Sequence, residues 1–273
     1  MKHLIQSKFF AQVTLLAVAI TAPAAWAQSP QVINIPLSYP DRPMTLEVGI
    51  LSAEIEVIGE DRSDVELEVS AISSSRKIIT PSGAMPITTS GFALEADEDE
   101  NRVEVSTDWR NEKMKFLARV PRNASLELST VNDGIIVVRN VHGDMDLRNV
   151  NGPITATGIV GSVAAESVNE NIKIYFDEFG ADATATLTTI NGNLDVGIPD
   201  GTGAEFHLDT GRGNINTDFE VTVESRKPII ERKDHEKGVK VKVETVITAV
   251  VGDGGPIVRM KSLNGNLRIS KSN

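Results

Sequence analysis

The chain has 273 residues, with 27 Lys and Arg against 38 Asp and Glu, a net charge of −11, and no cysteine. Without cysteine there is no disulfide framework, no thiolate metal site, no Cys nucleophile and no lipid-anchored N-terminal Cys. The acidic balance disfavours nucleic acid, whose phosphates need a basic face.

The first element is a targeting signal. Lys2 and Lys8 make a positive start, and the run from Phe9 to Ile20 is apolar. A run of this length suits the apolar region of a signal peptide and is too short for a membrane-spanning helix. Ala25-Trp26-Ala27 supplies the small-x-small cleavage pattern. The expectation is a signal peptide over 1–27 and a mature chain from Gln28, exported to the periplasm or the cell surface, with no transmembrane anchor afterwards. Lys2 and Lys8 leave with the signal, so the mature charge becomes −13. Trp109 is then the one tryptophan left, and aromatic platforms for sugars or bases are scarce.

Residues 28–120 read as degenerate β coils and loops. Val48 to Val57 fits one coil; Val65, Leu67 and Val69 alternate with Glu66 and Glu68, and Val103 and Val105 flank Glu104. Ser73 to Gly91 and the acidic run Asp97 to Asn101 read as loops.

Residues 121–273 carry a repeat. Thr130-Val131-Asn132, Asn149-Val150-Asn151, Ser167-Val168-Asn169, Thr189-Ile190-Asn191, Thr210-Gly211-Arg212 and Ser262-Leu263-Asn264 align without gaps, at steps of 19, 18, 22, 21 and 52 residues. Weaker turns, Val141-His142-Gly143-Asp144 and Ile159-Val160-Gly161-Ser162, fall midway, so each coil should hold two strands and two turns. Four residues after the central position stand Ile135, Ile154, Ile172, Leu194, Ile215 and Leu267. Three before it stand Leu128, Leu147, Ala165, Leu187, Leu208 and Met260. Strand alternation puts these in one interior, which stacked coils bury continuously. The fold expected is all-β: a single-chain β-solenoid, or β-helix, of about 18–22 residues per coil. Gly152, Gly192 and Gly265 should permit positive φ in the turns, and stacked Asn and Ser/Thr should form side-chain ladders that satisfy them. A ligand-binding or ice-binding face is the competing reading of such ladders.

The stretches VPRNASLELSTVNDGIIVV, GSVAAESVNENIKI, LTTINGNLDVGIPDG and MKSLNGNLRIS resemble the bacterial DUF4097 family of adhesin-like β-strand-repeat proteins, from Val120 to Ser270 and in weaker form from about Gln31. The resemblance implies a right-handed single-chain β-helix and an adhesive role. It supplies no catalytic residue.

The chemistry-bearing residues are few. His142, His207 and His235 lack spaced partners of any metal or triad pattern. Asp144, Asp146, Glu166, Asp195 and Asp209 fall at outward or turn positions, where paired acids would do the work of a carbohydrate-active lyase or hydrolase. Calcium at Asp97 to Asn101 or Asp253 is a weaker possibility, because the calcium-binding nonapeptide is absent. The reading adopted is a non-enzymatic exported envelope scaffold or adhesin-like binding module, without cofactor; the enzyme is the alternative. An insertion at about 219–258 carries the expected binding patch: Arg226, Lys227, Arg232, Lys233, Lys237, Lys240 and Lys242, against Glu231, Asp234 and Glu236, a net +4 on a remainder of −17. A solvated hairpin is its plain reading. The sharper one is a basic tip that meets an envelope protein, an anionic polysaccharide or the acidic face of another copy, so an oligomer stays open.

Overall fold

Apolar residues at every second position bury one face of a strand, and nearly every element of this chain alternates in that way. The computed structural model describes residues 30–72, 94–107, 113–235 and 238–272, with side chains described outside 225–245. The first strands are β1 (Gln31–Pro36), β2 (Met44–Ile50), β3 (Ala53–Glu60), β4 (Asp64–Ala71), β5 (Leu94–Asp99), β6 (Arg102–Thr107) and β7 (Met114–Pro121). The regular region holds β8 (Ala124–Thr130), β9 (Ile135–Arg139), β10 (Met145–Asn149), β11 (Ile154–Val160), β12 (Val163–Ser167), β13 (Ile172–Glu178), β14 (Thr184–Asn191) and β15 (Leu194–Pro199). Then follow β16 (Ala204–Arg212), β17 (Ile215–Thr217), β18 (Val221–His235), β19 (Gly238–Val251), β20 (Ile257–Asn264) and β21 (Leu267–Ser272).

The chain is all-β among the described residues, and its strands form two large mixed sheets. One runs β1-β4-β7-β3-β9-β11-β13-β15-β21-β17, the other β18-β19-β16-β20-β14-β12-β10-β8-β2-β6-β5. From β8 to β15 the chain alternates between the sheets, and like strands pair in parallel, Leu128 with Leu147, Leu147 with Ala165, Ala165 with Leu187. Between the sheets lies one apolar core. No helix among the described residues is long and apolar enough to cross a membrane.

The expected interior is present, with three corrections. Ile136, not Ile135, pairs with Ile154; Ile136 is buried and Ile135 is 37% exposed. Asp133 adds a residue to that turn, and a one-residue shift exchanges faces. The second correction is the stacking order. Leu267 sits between Leu194 and Ile215, and Met260 between Leu187 and Leu208, so the last strand pair is inserted beneath the one before it. Ile215, at the end of the stack, is only half-buried.

The third correction concerns the turns. Gly152, Gly192 and Gly265 do not have positive φ. They are needed for close approach: a Cβ would stand 1.7 Å from Gly134 O, 2.0 Å from Glu170 O and 1.8 Å from Gly192 O. The hydroxyl ladder bonds to the same carbonyl positions, Ser262 Oγ donating to Gly192 O at 2.8 Å and Thr210 Oγ1 to Gly265 O at 2.8 Å. The Asn ladder also forms, Asn169 donating to Asn151, Asn191 to Asn169 and Asn264 to Asn191, each at 2.9 Å. These bonds are the turn satisfaction that the repeat implied. Beside them the turn aliphatics face solvent, Val131, Val150, Ile190 and Leu263 being 36–56% exposed.

The acidic run Asp97 to Asn101 is not a loop. Leu94–Asp99 is a strand, and Glu100 and Asn101 make a two-residue hairpin turn with φ of 47° and 68°, the left-handed pair of a type I′ turn. Asn101 is buried and ties the turn to Tyr39 N and O. Glu98 accepts from Ser38 N and Asn101 N, and these backbone donors hold its carboxyl below the usual range. Ser73 to Gly91 lies outside the described residues.

Candidate interaction site

The expected basic patch lies on a hairpin. Arg226, Lys227, Arg232 and Lys233 are in β18, and Lys240 and Lys242 in β19; Lys237 lies outside the described residues. β16 pairs with β19 only from Ile247 to Val251. From Lys227↔Val246 to His235↔Gly238 the two strands pair only with each other among the described residues. This is a two-stranded arm of about 30 Å at strand rise, carried past the sheet. Lys233 stands directly opposite Lys240, and Glu231 opposite Lys242.

At the other end of the same sheet the register assembles an acidic row. Asp97 pairs with Glu104, Glu104 with Glu47, Glu47 with Glu127 and Glu127 with Asp146. Five carboxylates thus follow one another across five strands at about 4.8 Å steps. Arg102 bonds Glu104 at 3.1 Å, Glu127 at 3.2 Å and also Glu47, and these carboxylates push its guanidinium still further above its ordinary value. Arg148 meets Asp146 at 2.6 Å. Beside the row, Thr45, Ser125, Asp144, Ser162, Ala164 and Thr186 line an open groove of about 410 Å³.

The opposite sheet carries a smaller polar cluster. Tyr175 lies against Gly197, where a Cβ would stand 2.3 Å from the ring. The Tyr175 hydroxyl and Ser270 Oγ each donate to Asp195 at 2.9 Å. Burial, then the hydrogen bond to Asp195, pushes the Tyr175 phenol up to about 12.

The residues singled out in the sequence distribute as follows. Of the acids, Glu166 has Arg148 as its register neighbour and Asp195 has Lys173; the ion pair of Arg148 goes to Asp146, and Asp195 takes hydroxyls. Asp209 and Lys261, also neighbours, pair at 2.9 Å. Asp144 accepts from Ser162 N. His142 is exposed and His207 bonds Glu205 at 2.6 Å; His235 ends β18. Among the described residues no group of three or more His, Asp or Glu is arranged to hold a metal ion. The acidic row was missed in the sequence, because its members come from strands up to 99 residues apart in number (Glu47 and Asp146). The short-range sign was an acid at an outward position of each contributing strand.

No family model matches this chain, and no curated protein does. Two solved structures align with it over most of its length. One is a "putative cell adhesion protein" from Clostridium sporogenes, 9% identical, with 89% of this chain and all of that one covered at a TM-score of 0.48. The other is a "putative adhesin" from Bacteroides fragilis, also 9% identical, with 89% and 97% covered at a TM-score of 0.36.

Proposed function

We propose that this protein is a non-enzymatic, exported binding or scaffolding module of the cell envelope, a right-handed single-chain β-solenoid that presents charged faces and a basic arm. The solenoid reading is supported by parallel pairing of like strands at the repeat spacing from β8 to β15. The observation that carries the binding role is the arm, a stretch of net +4 projected beyond the sheet of an acidic chain. An acidic surface component, an envelope protein or an anionic polysaccharide, is the complementary partner. The non-enzymatic reading is supported by the state of four of the five candidate carboxylates, which are engaged one by one: Asp144 by a backbone N–H, Asp146 by Arg148, Asp195 by two hydroxyls and Asp209 by Lys261.

The test is capture from envelope extract by the mature protein and by a Lys233→Glu, Lys237→Glu, Lys240→Glu variant, at low and at physiological salt. The expected result is capture that salt weakens and the variant loses. Equal capture by both proteins at every salt concentration removes the arm as the contact. Release of reducing ends from an anionic polysaccharide would replace this reading with that of an enzyme.

A further inference from the structure

We propose that the basic arm of one copy docks on the acidic row of the next, giving head-to-tail assembly of this chain. The proposal rests on the binding-module reading and names its partner as a second copy. Two features, each unfavourable alone, fit one another. On the arm, Lys233 and Lys240 are directly opposed, and like charges so placed on neighbouring strands repel. A two-stranded hairpin is also marginal without a further surface to lie on. On the sheet, Asp97, Glu104, Glu47, Glu127 and Asp146 form one uninterrupted row. Among the described residues Arg102 and Arg148 are the cations bonded to it, which leaves the row at −3. The side chains remain reachable, Glu104 being 61% and Glu127 50% exposed.

The geometry makes the contact intermolecular. The arm continues along the strand direction of β16, because β19 pairs with β16 in the same sheet. The acidic row runs across the strands, at the far end of that sheet: β5, β6, β2, β8 and β10 are separated from β16 by β12, β14 and β20. An arm directed along the strands does not reach its own row. Charge selects the partner surface as well. The mature chain is −13, with +4 concentrated in residues 226–242, so copies repel each other except where the arm meets a carboxylate surface. The arm and the row are different surfaces at opposite ends of the molecule. Their contact is therefore heterologous, and it propagates as an open chain or closes as a ring.

Sedimentation velocity of the full mature chain over a concentration series tests this. At about 50 mM salt the sedimentation coefficient should rise with concentration, and at about 500 mM the apparent association should weaken by about tenfold or more, since screening shortens the reach of exposed charges to a few ångströms. A Lys233→Glu, Lys240→Glu variant and a Glu104→Lys, Glu127→Lys variant should each sediment as monomers. Their equimolar mixture should associate again as heterodimers, because the unaltered arm of the second variant then meets the unaltered row of the first. Thermal melts check that both fold; if the lysine pair does not, Glu104→Gln, Glu127→Gln replaces it and should weaken association in the same direction. A wild-type chain that stays monomeric at all concentrations overturns the proposal, as does association that neither variant changes. So does a monomer that binds phosphatidylglycerol vesicles through the arm, which would assign the arm to an anionic surface. The proposed binding role is judged separately, by the envelope capture, so the failure of one is distinguishable from the failure of the other.

Discussion

Between β8 and β15 the stack follows the chain, whereas at each end it does not. In the middle, β10 to β13 each pair with the like strand of the repeat before and of the repeat after. At the N-terminal end, β2 and β3 lie between β6 and β7 on one side and β8 and β9 on the other. At the C-terminal end, β20 and β21 lie between β14 and β15 on one side and β16 and β17 on the other. At the C-terminal end, position in the stack therefore follows the quality of the repeat, not its place in the chain. Ser262-Leu263-Asn264-Gly265 can bond in both directions, Asn264 to Asn191 and Ser262 to Gly192 on one side, with Gly265 accepting from Thr210 on the other. The degenerate Gly211-Arg212-Gly213 turn has no such amide and stands outermost. Antiparallel strands then finish the ends, β4 on β7, β5 on β6 and β19 on β16.

The largest expected difference between middle and end is the response to a buried charge. Ile172 is fully buried, with a neighbour on either side, and Ile172→Asp should abolish folding, since an unpaired carboxylate there has no solvation. Val32 on edge strand β1 is 56% exposed, and Val32→Asp should fold with a melting temperature close to wild type. Circular dichroism melts of the two variants decide it; similar losses would show that β1 belongs to the core.

Glycine sharpens the comparison at a smaller scale. Gly265→Ala puts a Cβ 1.8 Å from Gly192 O, forcing two stacked turns apart, and should cost about 3 kcal/mol in denaturant unfolding. Gly180 has no atom within 4 Å of its Cβ position, and Gly180→Ala should be neutral or stabilising by about 0.5 kcal/mol through the unfolded chain. Equal effects would break the argument from close approach.

The amide ladder should show the same gradient. Asn191 both donates to Asn169 and accepts from Asn264, while Asn151 accepts from Asn169 alone. Asn191→Ala should cost about 1–2 kcal/mol and Asn151→Ala about half as much. A larger loss at Asn151 would mean that the ladder does not share its load by position.

The smallest effect is one of pH. Tyr175 has its phenol pushed up to about 12 by burial and by its bond to Asp195. The unfolded chain therefore releases this proton first, so the contribution of Tyr175 is intact below pH 10 and falls as pH rises from about 10 to 12. Tyr175→Phe should remove that step from the alkaline limb of the stability curve and leave the neutral region nearly unchanged. A limb that stays the same places the titrating group elsewhere.

The period near 20 residues and the alternation of Leu128, Leu147, Ala165 and Leu187 made the parallel middle legible, because both depend on neighbours within one repeat. The inserted strand pair was not legible in the same way. Spacing along the chain ranks Leu267 after Ile215, and only the turn hydrogen bonds reverse them. The run Asp97 to Asn101 misled for a local reason: acids ordinarily avoid strands, yet here the backbone donors to Glu98 and the bonds of Asn101 to Tyr39 hold the hairpin. The arm could be placed outside the repeat as a hairpin, from the 52-residue step and the mixed charges of residues 226–242. The row opposite to it in charge could not, since no spacing rule joins Glu47 to Asp146.

The inserted strand pair also sets a clock on folding. The chain is synthesised from its N-terminus, so β14 and β15 emerge with one edge bare, and the Oδ1 atoms of Asn191 and Asn193 without donors on that side. Their partners, Asn264 and Asn266, follow some 70 residues later. Until they arrive, that edge stays unpaired or is covered by β16 and β17, whose turn has no amide like that of Asn264 to bond Asn191. The strand pair made last thus closes an edge that has waited through the synthesis of the degenerate repeat, which ends on the outer side of it.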